Sequence, residues 1–142
     1  MNDNIKGELI NAIGDVFDKV RPDCIILPDY NDTHTDHKYV FEAAQACSKI
    51  FRRGYIRRIL TMEIPSETNF GMPYNTFKPN FYIDITGYLD KKIDAMRIYD
   101  TEMGKPPFPR SEEAIRAQAT VRGAEVGTIY AEAFRVIKEI FD

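Results

Sequence analysis

The chain has 142 residues, of which 44% are hydrophobic and 29% charged, and this is the composition of one ordinary folded domain, assigned here to residues 1–142. Its net charge of −3 excludes the broad basic surface that nucleic-acid binding needs. The sequence has no signal-peptide core and no apolar run of about 18 residues, and its two cysteines have no CxxC spacing, so we expect a cytoplasmic protein without a membrane span.

Hydrophobic spacing predicts two helices and a strand in the first third of the chain. Residues 4–20 are apolar along one face, which predicts an amphipathic helix that ends before Pro22. The short apolar run at 24–27 is typical of a buried parallel strand. A second amphipathic helix is predicted over 38–51, with Gly54 ending it.

The middle of the chain predicts a strand and a long loop. Apolar and polar residues alternate over 56–64, which favours a strand whose two faces differ. The segment 65–79 is rich in Gly, Pro, Asn and aromatic residues. We interpret it as an ordered loop, because a flexible linker does not normally carry so many aromatic residues.

The last third predicts one strand and two helices. Alternation predicts the strand over 81–85, and Thr86 is the predicted N-cap of the helix that follows. The final helix is predicted to begin at Ser111 and to run to residue 140, with its inner face formed by Ile115, Ala119, Val126, Ile129, Ala133, Ile137 and Ile140. Gly123 and Gly127 lie one turn apart in this pattern, and a close backbone crossing would explain both.

Three predicted strands and four predicted helices indicate an α/β fold with a mostly parallel sheet flanked by helices. Such a sheet is small, since about five or six strands are usual. A parallel sheet also needs covered faces and protected edges. We therefore expect a fold truncated at its N-terminus, where the chain starts abruptly with a helix.

A polar stretch that carries both histidines of the chain, His34 and His37, follows the first predicted strand. Asp36 lies between them, and Asp29 and Asp32 lie just before. In open α/β sheets, ligands bind beyond the carboxyl ends of the strands, where a strand leads into a helix. Histidines and acids can simply decorate a polar loop, but this concentration at one junction favours a metal or acid/base site.

The chemistry of this stretch leaves several assignments open. In the first turn of a helix, the positive end of the dipole favours the neutral imidazole that a metal ion requires. His34 and His37 could bind one ion together, or one could bind while the other acts on a substrate. Asp36 could be a ligand or could orient a histidine. A hydrolytic zinc site needs three protein ligands and an open position, so this stretch alone does not complete one.

The motifs of the whole chain, taken in order, resemble those of the PIG-L/LmbE family of zinc-dependent sugar de-N-acetylases. They are Pro28-Asp-Tyr-Asn-Asp32, His34-Thr-Asp-His37, Glu67-Thr-Asn-Phe-Gly71, Pro79-Asn-Phe-Tyr-Ile-Asp-Ile-Thr86, Lys91-Lys-Ile-Asp-Ala95, Pro109-Arg-Ser111, Arg122-Gly123 and Tyr130-Ala-Glu-Ala-Phe134. The order is more specific than any single motif. The resemblance implies a Rossmann-like fold and a hydrolase that removes acetyl from an N-acetylglucosamine-type substrate.

The resemblance also implies roles for three residues. His37 would be a zinc ligand, His34 would stabilise the oxyanion or protonate the leaving amine, and Asp36 would hold a histidine in orientation. The family usually has Pro where this chain has Thr35, a minor change in a first helical turn. We further expect an amino-sugar conjugate as the small-molecule partner and a homo-oligomer as the assembly.

One departure from the family pattern is serious, because the sequence contains no His-Pro-Asp-Asp motif. In the family this motif supplies two further zinc ligands and the general base. We therefore interpret the chain as the C-terminal part of a deacetylase domain, expected to bind zinc weakly and to be inactive in isolation. The alternative hypothesis is a non-catalytic PIG-L-like module that binds sugar or assembles with partners.

Three other residues are candidates for a role in the site. Arg122 fits equally well as a substrate-reaching residue and as a surface arginine beside a glycine. Tyr74 and Asn69 could line a sugar pocket, but aromatic loop residues more often hold the loop itself in place, and we favour that interpretation.

Overall fold

A computed structural model describes residues 3–141, which form two compact units. The first unit contains the chain up to Lys78 and again from Arg135, and the second contains Pro79–Phe134. None of the helices in the described part of the chain is long and apolar enough to cross a membrane.

The first unit begins with two helices and two parallel strands. Helix α1 spans Asp3–Val20, strand β1 Cys24–Pro28, helix α2 Thr35–Cys47 and strand β2 Arg58–Met62. Strands β1 and β2 are parallel, with their residues paired from Cys24 with Arg58 through to Pro28 with Met62. These elements confirm the predictions to within a few residues at their ends, where assignments commonly differ. The exception is Gly54, which does not end α2, because the helix ends at Cys47 and its C-cap is Ser48.

A buried cluster between the helices and strands holds this unit together. It consists of Phe17, Ile25, Leu27, Phe41, Ala44, Cys47, Ile56 and Ile59. The members come from α1, β1, α2, β2 and the residue just before β2, Ile56. Helix α2 packs against β1, and α1 packs against α2. The segment from residue 65 to 78 is an ordered loop, as predicted, with two short 3-10 turns at Thr68–Phe70 and Pro73–Asn75.

Arg53 ties α1 to the end of α2. Its guanidinium donates hydrogen bonds to both carboxylate oxygens of Asp18, at 2.8 and 2.6 Å, and to the carbonyl of Cys47 at 2.8 Å. The Tyr55 hydroxyl also donates to Asp18, at 2.9 Å. These bonds, led by that from Arg53, hold the pKa of the Asp18 carboxyl below its ordinary value of 3.8.

The depressed pKa of Asp18 predicts the acid limb of the stability profile. Because the folded pKa lies below the unfolded one, the stabilisation is complete above 3.8 and is lost as pH falls through the folded pKa. We expect Asp18→Asn to lower the melting temperature at neutral pH, with the difference from wild type closing in strong acid. Thermal melts across this pH range test it, with Asp15→Asn on the exposed side of α1 as control. An Asp18→Asn deficit that is constant with pH would contradict the assignment.

The second unit contains strand β3 at Phe81–Asp84, helix α3 at Leu89–Arg97 and helix α4 at Glu112–Val126. It also contains the first half of strand β4, which spans Ala131–Glu139. Strands β3 and β4 are antiparallel, with Phe81 paired with Phe134 and their rings in edge contact. The core of the second unit is formed by Ile85, Leu89, Ile93, Ile115 and Ala119.

The prediction of one long final helix is wrong. Ser111 caps α4 as predicted, but the helix ends at Val126, and Gly127 takes the left-handed conformation with φ of 80°. Glycine adopts this conformation without steric cost and commonly ends helices. Val126 and Ile129, which were predicted to lie on the inner face of this helix, are 43% and 64% exposed. The residues from Ala131 onward form β4 instead.

The two glycines therefore have different roles. A Cβ on Gly123 would lie 2.6 Å from the carbonyl oxygen of Ile129, so the chain leaving α4 passes close to this residue as predicted. Gly127 is not a second crossing point but the residue that ends the helix. Thr86 is also not the N-cap of α3, because the helix begins at Leu89 and its N-cap is Tyr88.

The strand order in the sheet is β1-β2-β4-β3. The predicted α/β architecture is confirmed as a four-stranded mixed sheet accompanied by four α-helices among residues 3–141. The fourth strand is the one that the sequence analysis assigned to a helix.

Candidate active site at the end of strand β1

A tight turn at the carboxyl end of β1 buries two carboxylates. The side chains of Asp29 and Asp32 are both fully buried. Asp29 accepts hydrogen bonds from the backbone N–H of Asn31 at 3.0 Å and from the Thr61 hydroxyl at 2.8 Å. Because Thr61 lies near the carboxyl end of β2, the turn is tied to both parallel strands where they end. This is the expected place for a site in an open α/β sheet.

Asp32 fixes the ring of His37. The Nδ1 atom of His37 lies 2.8 Å from Oδ2 of Asp32, and the His37 side chain is 24% exposed. A carboxylate only accepts at this position, so Nδ1 carries the proton and donates it. The Nε2 atom of His37 is then left with a lone pair. A histidine held in this way by a carboxylate is the usual arrangement of a zinc ligand.

His34 is held in the opposite tautomer. It is the N-cap of α2, and its Nδ1 accepts the backbone N–H of Asp36 at 3.2 Å. Because Nδ1 accepts, the proton of the neutral ring lies on Nε2. The rings of His34 and His37 stack with centroids 5.0 Å apart. The two neighbouring rings therefore offer one N–H donor, Nε2 of His34, and one lone pair, on Nε2 of His37.

The carboxylate of Asp36 does not contact either ring at hydrogen-bond distance among the contacts described. It lies 4.0 Å from Nδ1 of His34, and the Asp36 side chain is 76% exposed. Asp36 orients His34 through its backbone N–H instead. The carboxylate that orients His37 is Asp32, which the sequence analysis had considered only as one of several nearby acids.

Burial raises the pKa of Asp32 above its ordinary value of 3.8, against the lowering effect of hydrogen bonds from Thr68 and His37. Its second oxygen, Oδ1, is buried and has no hydrogen-bond partner in the described part of the chain. A buried unpaired carboxylate oxygen is costly, and such atoms commonly mark a place for a bound group or water. The observation fits a cation held close to the Asp32–His37 pair.

The described residues supply only part of a metal site. They contain no group of three or more His, Cys, Asp or Glu side chains arranged to hold a metal ion. His37, with Asp32 behind it, fits one position of a zinc centre, and an open catalytic centre uses three protein ligands. The described residues therefore supply one candidate zinc ligand, His37, and the carboxylate that orients it, Asp32.

A clamp of three side chains holds the 65–78 loop against the turn after β1. The Asn31 side chain donates to the carbonyls of Met72 and Asn75, at 3.2 and 2.7 Å. The Tyr30 hydroxyl donates to the Asn75 side chain at 2.8 Å. A Cβ on Gly71 would collide with Asn31, so only glycine permits this close approach.

Arg135, in β4, completes the clamp. Its guanidinium donates to the Tyr30 hydroxyl at 2.9 Å and to the carbonyl of Thr76 at 2.7 Å, and it lies 3.5 Å from the Asp29 carboxylate. The centroids of the Tyr30 and Phe77 rings lie 5.3 and 5.2 Å from the guanidinium carbon of Arg135. Arg135 was not among the predicted site residues, because the apolar spacing of residues 111–140 predicted a helix here.

Arg122 lies in the second unit, where its side chain is 18% exposed and pairs with Glu125 at 2.7 Å.

Comparison with known proteins begins with sequence. No protein-family model matches the chain. It is 27% identical over 139 residues to diacetylchitobiose deacetylase of Thermococcus kodakarensis, an alignment that covers 94% of this chain and 52% of that protein. The chain is thus a relative of a deacetylase. The resemblance to PIG-L/LmbE deacetylases is confirmed, and the chain spans about half the length of this curated relative.

Solved structures confirm the fold. N,N'-diacetylchitobiose deacetylase of Pyrococcus horikoshii matches with a TM-score of 0.65 and 20% identity, over 96% of this chain and 52% of that one. A conserved protein of Thermus thermophilus matches with a TM-score of 0.70 and 20% identity, over 95% and 60%. GalB of Pseudomonas putida, a 4-carboxy-2-hydroxymuconate hydratase, matches with 0.67 and 17% identity, over 96% and 60%. Since a hydratase shares this fold, the reaction must be argued from the site.

Proposed function

We propose that this chain forms part of a zinc-dependent hydrolase that removes acetyl from an N-acetylglucosamine-type substrate. The observation that carries the proposal is the pair of stacked histidines in opposite tautomers at the end of β1, one of them oriented by a buried carboxylate. The relationship to a diacetylchitobiose deacetylase supports the substrate class.

In the proposed mechanism, Nε2 of His37 would hold zinc, and the buried Asp32 would keep the His37 ring in place. Zinc, when bound, supplies the positive charge that makes water nucleophilic and polarises the amide carbonyl. Nε2–H of His34 would donate a hydrogen bond to the oxygen that becomes negative. The departing amine would take the proton that the attacking water loses, through a general base that the described residues do not include. Hydrolysis adds one water and yields acetate and the free amino sugar. Asp36 keeps His34 in position through its backbone N–H.

The ligand set is completed outside these residues in this proposal, and the 142-residue chain alone is expected to bind zinc weakly without turnover. A cytoplasmic location, a single domain and a homo-oligomeric assembly belong to the same proposal. The alternative is a non-catalytic module that binds sugar or assembles with partners.

The test compares the purified chain with the product of the longest in-frame reading that contains it. Bound zinc is measured by elemental analysis, and acetate and free amine are measured on N,N'-diacetylchitobiose and N-acetylglucosamine. The proposal is supported if the longer product binds zinc stoichiometrically and releases acetate and amine, while the short chain does neither. No zinc and no turnover in either protein supports the non-catalytic alternative.

A further inference from the structure

The amino ends of the parallel strands, opposite the histidine pair, are surrounded by basic side chains. Among the described residues these side chains form no ion pair, whereas most other arginines do, as Arg53 does with Asp18. Asp23 is an exposed acid at the same end and offsets part of the charge. This end is still locally basic, in a chain whose net charge is −3. The cations concerned are Lys19, Arg21, Lys49, Arg52 and Lys138.

Contacts between three segments bring these cations together. Arg21 follows the end of α1, and its guanidinium carbon lies 4.5 Å from the centroid of the Tyr55 ring, which follows the turn after α2. Lys138, near the end of β4, donates to the carbonyl of Ser48, the C-cap of α2, at 3.4 Å. The end of α1, the turn after α2 and the end of β4 therefore meet at one end of the first unit.

Large apolar side chains stand in solvent among the cations. In the turn after α2, Ile50 and Phe51 are 52% and 76% exposed, and they lie between Lys49 and Arg52 in the sequence. Val20, at the end of α1, is 65% exposed. Exposed apolar side chains grouped with charged ones usually mark an interaction surface. We refer to the cations listed above, together with Val20, Ile50 and Phe51, as the basic end.

Arg21 is held in a conformation that arginine rarely adopts. Its φ of 53° lies in the left-handed region, and its backbone N–H donates to the carbonyl of Phe17 at 2.7 Å, which closes the last turn of α1. Glycine commonly occupies such a position, because it has no Cβ to clash. The sequence keeps a side chain here at a cost in stability, and this indicates that the Arg21 cation has a use apart from folding.

Cations around apolar tips fit the surface of an anionic lipid bilayer. Lys and Arg are attracted to anionic headgroups, while neighbouring apolar side chains enter the boundary between headgroups and acyl chains. A nucleic acid fits less well, because the Arg52 guanidinium lies 5.7 Å from the Phe51 ring centroid, over a face on which a base would stack. A second copy of the chain also fits less well, since a two-fold contact would bring the same cations together.

We propose that the basic end docks the protein on an anionic bilayer, with Ile50 and Phe51 inserted between the headgroups and the cations at the level of the phosphates. Such docking is peripheral and reversible, and salt weakens it. The basic end and the histidine pair lie at opposite ends of β1, so the candidate active site faces water in the docked state. The inference does not depend on zinc or on hydrolysis.

Sedimentation of the full chain with lipid vesicles tests the docking. The vesicles contain phosphatidylcholine with or without phosphatidylserine, and we expect binding only where phosphatidylserine is present, falling as salt rises. Arg52→Ala should weaken binding about five-fold, the worth of one cation near an anionic membrane. Lys78→Ala is the matched control, because it removes an exposed cation from the loop clamped to the turn after β1. It should leave binding unchanged.

Arg21→Gly separates docking from folding. Glycine takes the left-handed conformation without strain, so the melting temperature of this variant should be equal to that of wild type or higher. Its vesicle binding should nevertheless fall about five-fold, as for Arg52→Ala. A variant that keeps its stability and loses binding cannot be explained by misfolding.

A tryptophan in the turn after α2 reports insertion directly, because the chain contains no tryptophan of its own. The emission of Phe51→Trp should move to shorter wavelength when anionic vesicles are added. The matched variant is Tyr74→Trp, on the loop clamped to the turn after β1. The Tyr74 side chain is 85% exposed, so it does not hold its loop in place, contrary to the interpretation favoured from sequence. Its emission should not move.

Every outcome decides the proposal. Salt-sensitive binding to anionic vesicles that Arg52→Ala weakens and Lys78→Ala does not supports it. No binding, or an equal loss in the two variants, overturns it. So does an emission change for Tyr74→Trp without one for Phe51→Trp, which would put the membrane at the other end of the sheet. Binding of single-stranded RNA without vesicle binding overturns it in favour of a nucleic-acid surface. Self-association that Phe51→Ala abolishes, again without vesicle binding, overturns it in favour of a protein interface.

Discussion

Replacing His37 with alanine should lower the zinc affinity of the protein by more than about 100-fold, because it removes the one ligand whose geometry is already set. His34→Ala should leave zinc binding almost unchanged, since the Nε2 atom of that ring carries a proton and cannot bind a metal. Competition against a chromophoric chelator measures both affinities. Equal loss of zinc in the two variants would show that the tautomers inferred here are wrong.

The orienting carboxylate gives a matched pair of variants. Asp32→Asn should weaken zinc binding about 10- to 100-fold, the usual effect of removing a carboxylate behind a ligating histidine. Asp36→Asn makes the same chemical change four residues later, on a side chain that is 76% exposed, and should change zinc affinity little. If Asp36→Asn has the larger effect, the orienting role belongs to Asp36 and not to Asp32.

Replacing Arg135 with alanine should destabilise the protein by about 3 kcal/mol, because it leaves the buried Asp29 carboxylate without its cation. The Arg135 side chain is 13% exposed and Asp29 is fully buried, so solvent replaces the lost partner poorly. Arg135→Lys keeps the charge but not the planar fork that reaches both Tyr30 and Thr76, and it should cost less. Urea unfolding measures these differences, with Lys78→Ala as a surface control.

The same variants should loosen the 65–78 loop. Chymotrypsin cleaves after Phe70 and Tyr74 only when the loop opens, so cleavage should be fastest in Arg135→Ala and slowest in wild type, with Arg135→Lys between them. Hydrogen exchange of the loop amides provides an independent readout. If Arg135→Ala lowers the free energy of unfolding by less than about 1 kcal/mol and leaves cleavage unchanged, then Asn31 and Tyr30 alone hold the loop.

The position of the histidine pair was predictable because it depends on local sequence. A short apolar run, a polar turn and an amphipathic pattern indicate a strand that leads into a helix, and both histidines lie at that junction. The contact between Asp32 and His37 was not predictable in this way, because it depends on a specific turn at residues 29–32 and has neither helical nor strand spacing.

The C-terminal error has a different cause. The sequence from residue 111 to 140 contains enough apolar residues at helical spacing to favour one helix, and two glycines were accepted within it. The decisive signal was Gly127, which ends the helix, followed by Phe134, Val136 and Ile137, because β-branched and aromatic residues are typical of strands. Because that signal was outweighed, both the fourth strand and the clamp residue Arg135 were missed.

Strand β4 places unusual limits on how this sequence can change through evolution. Phe134 belongs to one compact unit and Arg135 to the other, and they are neighbours in one strand. Inserting or deleting one residue of β4 before Phe134 would move every later side chain of the strand to the opposite face of the sheet. Arg135 would leave the clamp, and Phe134 would lose its contact with Phe81. Related sequences should therefore vary in length in the loops and keep the spacing of β4 fixed.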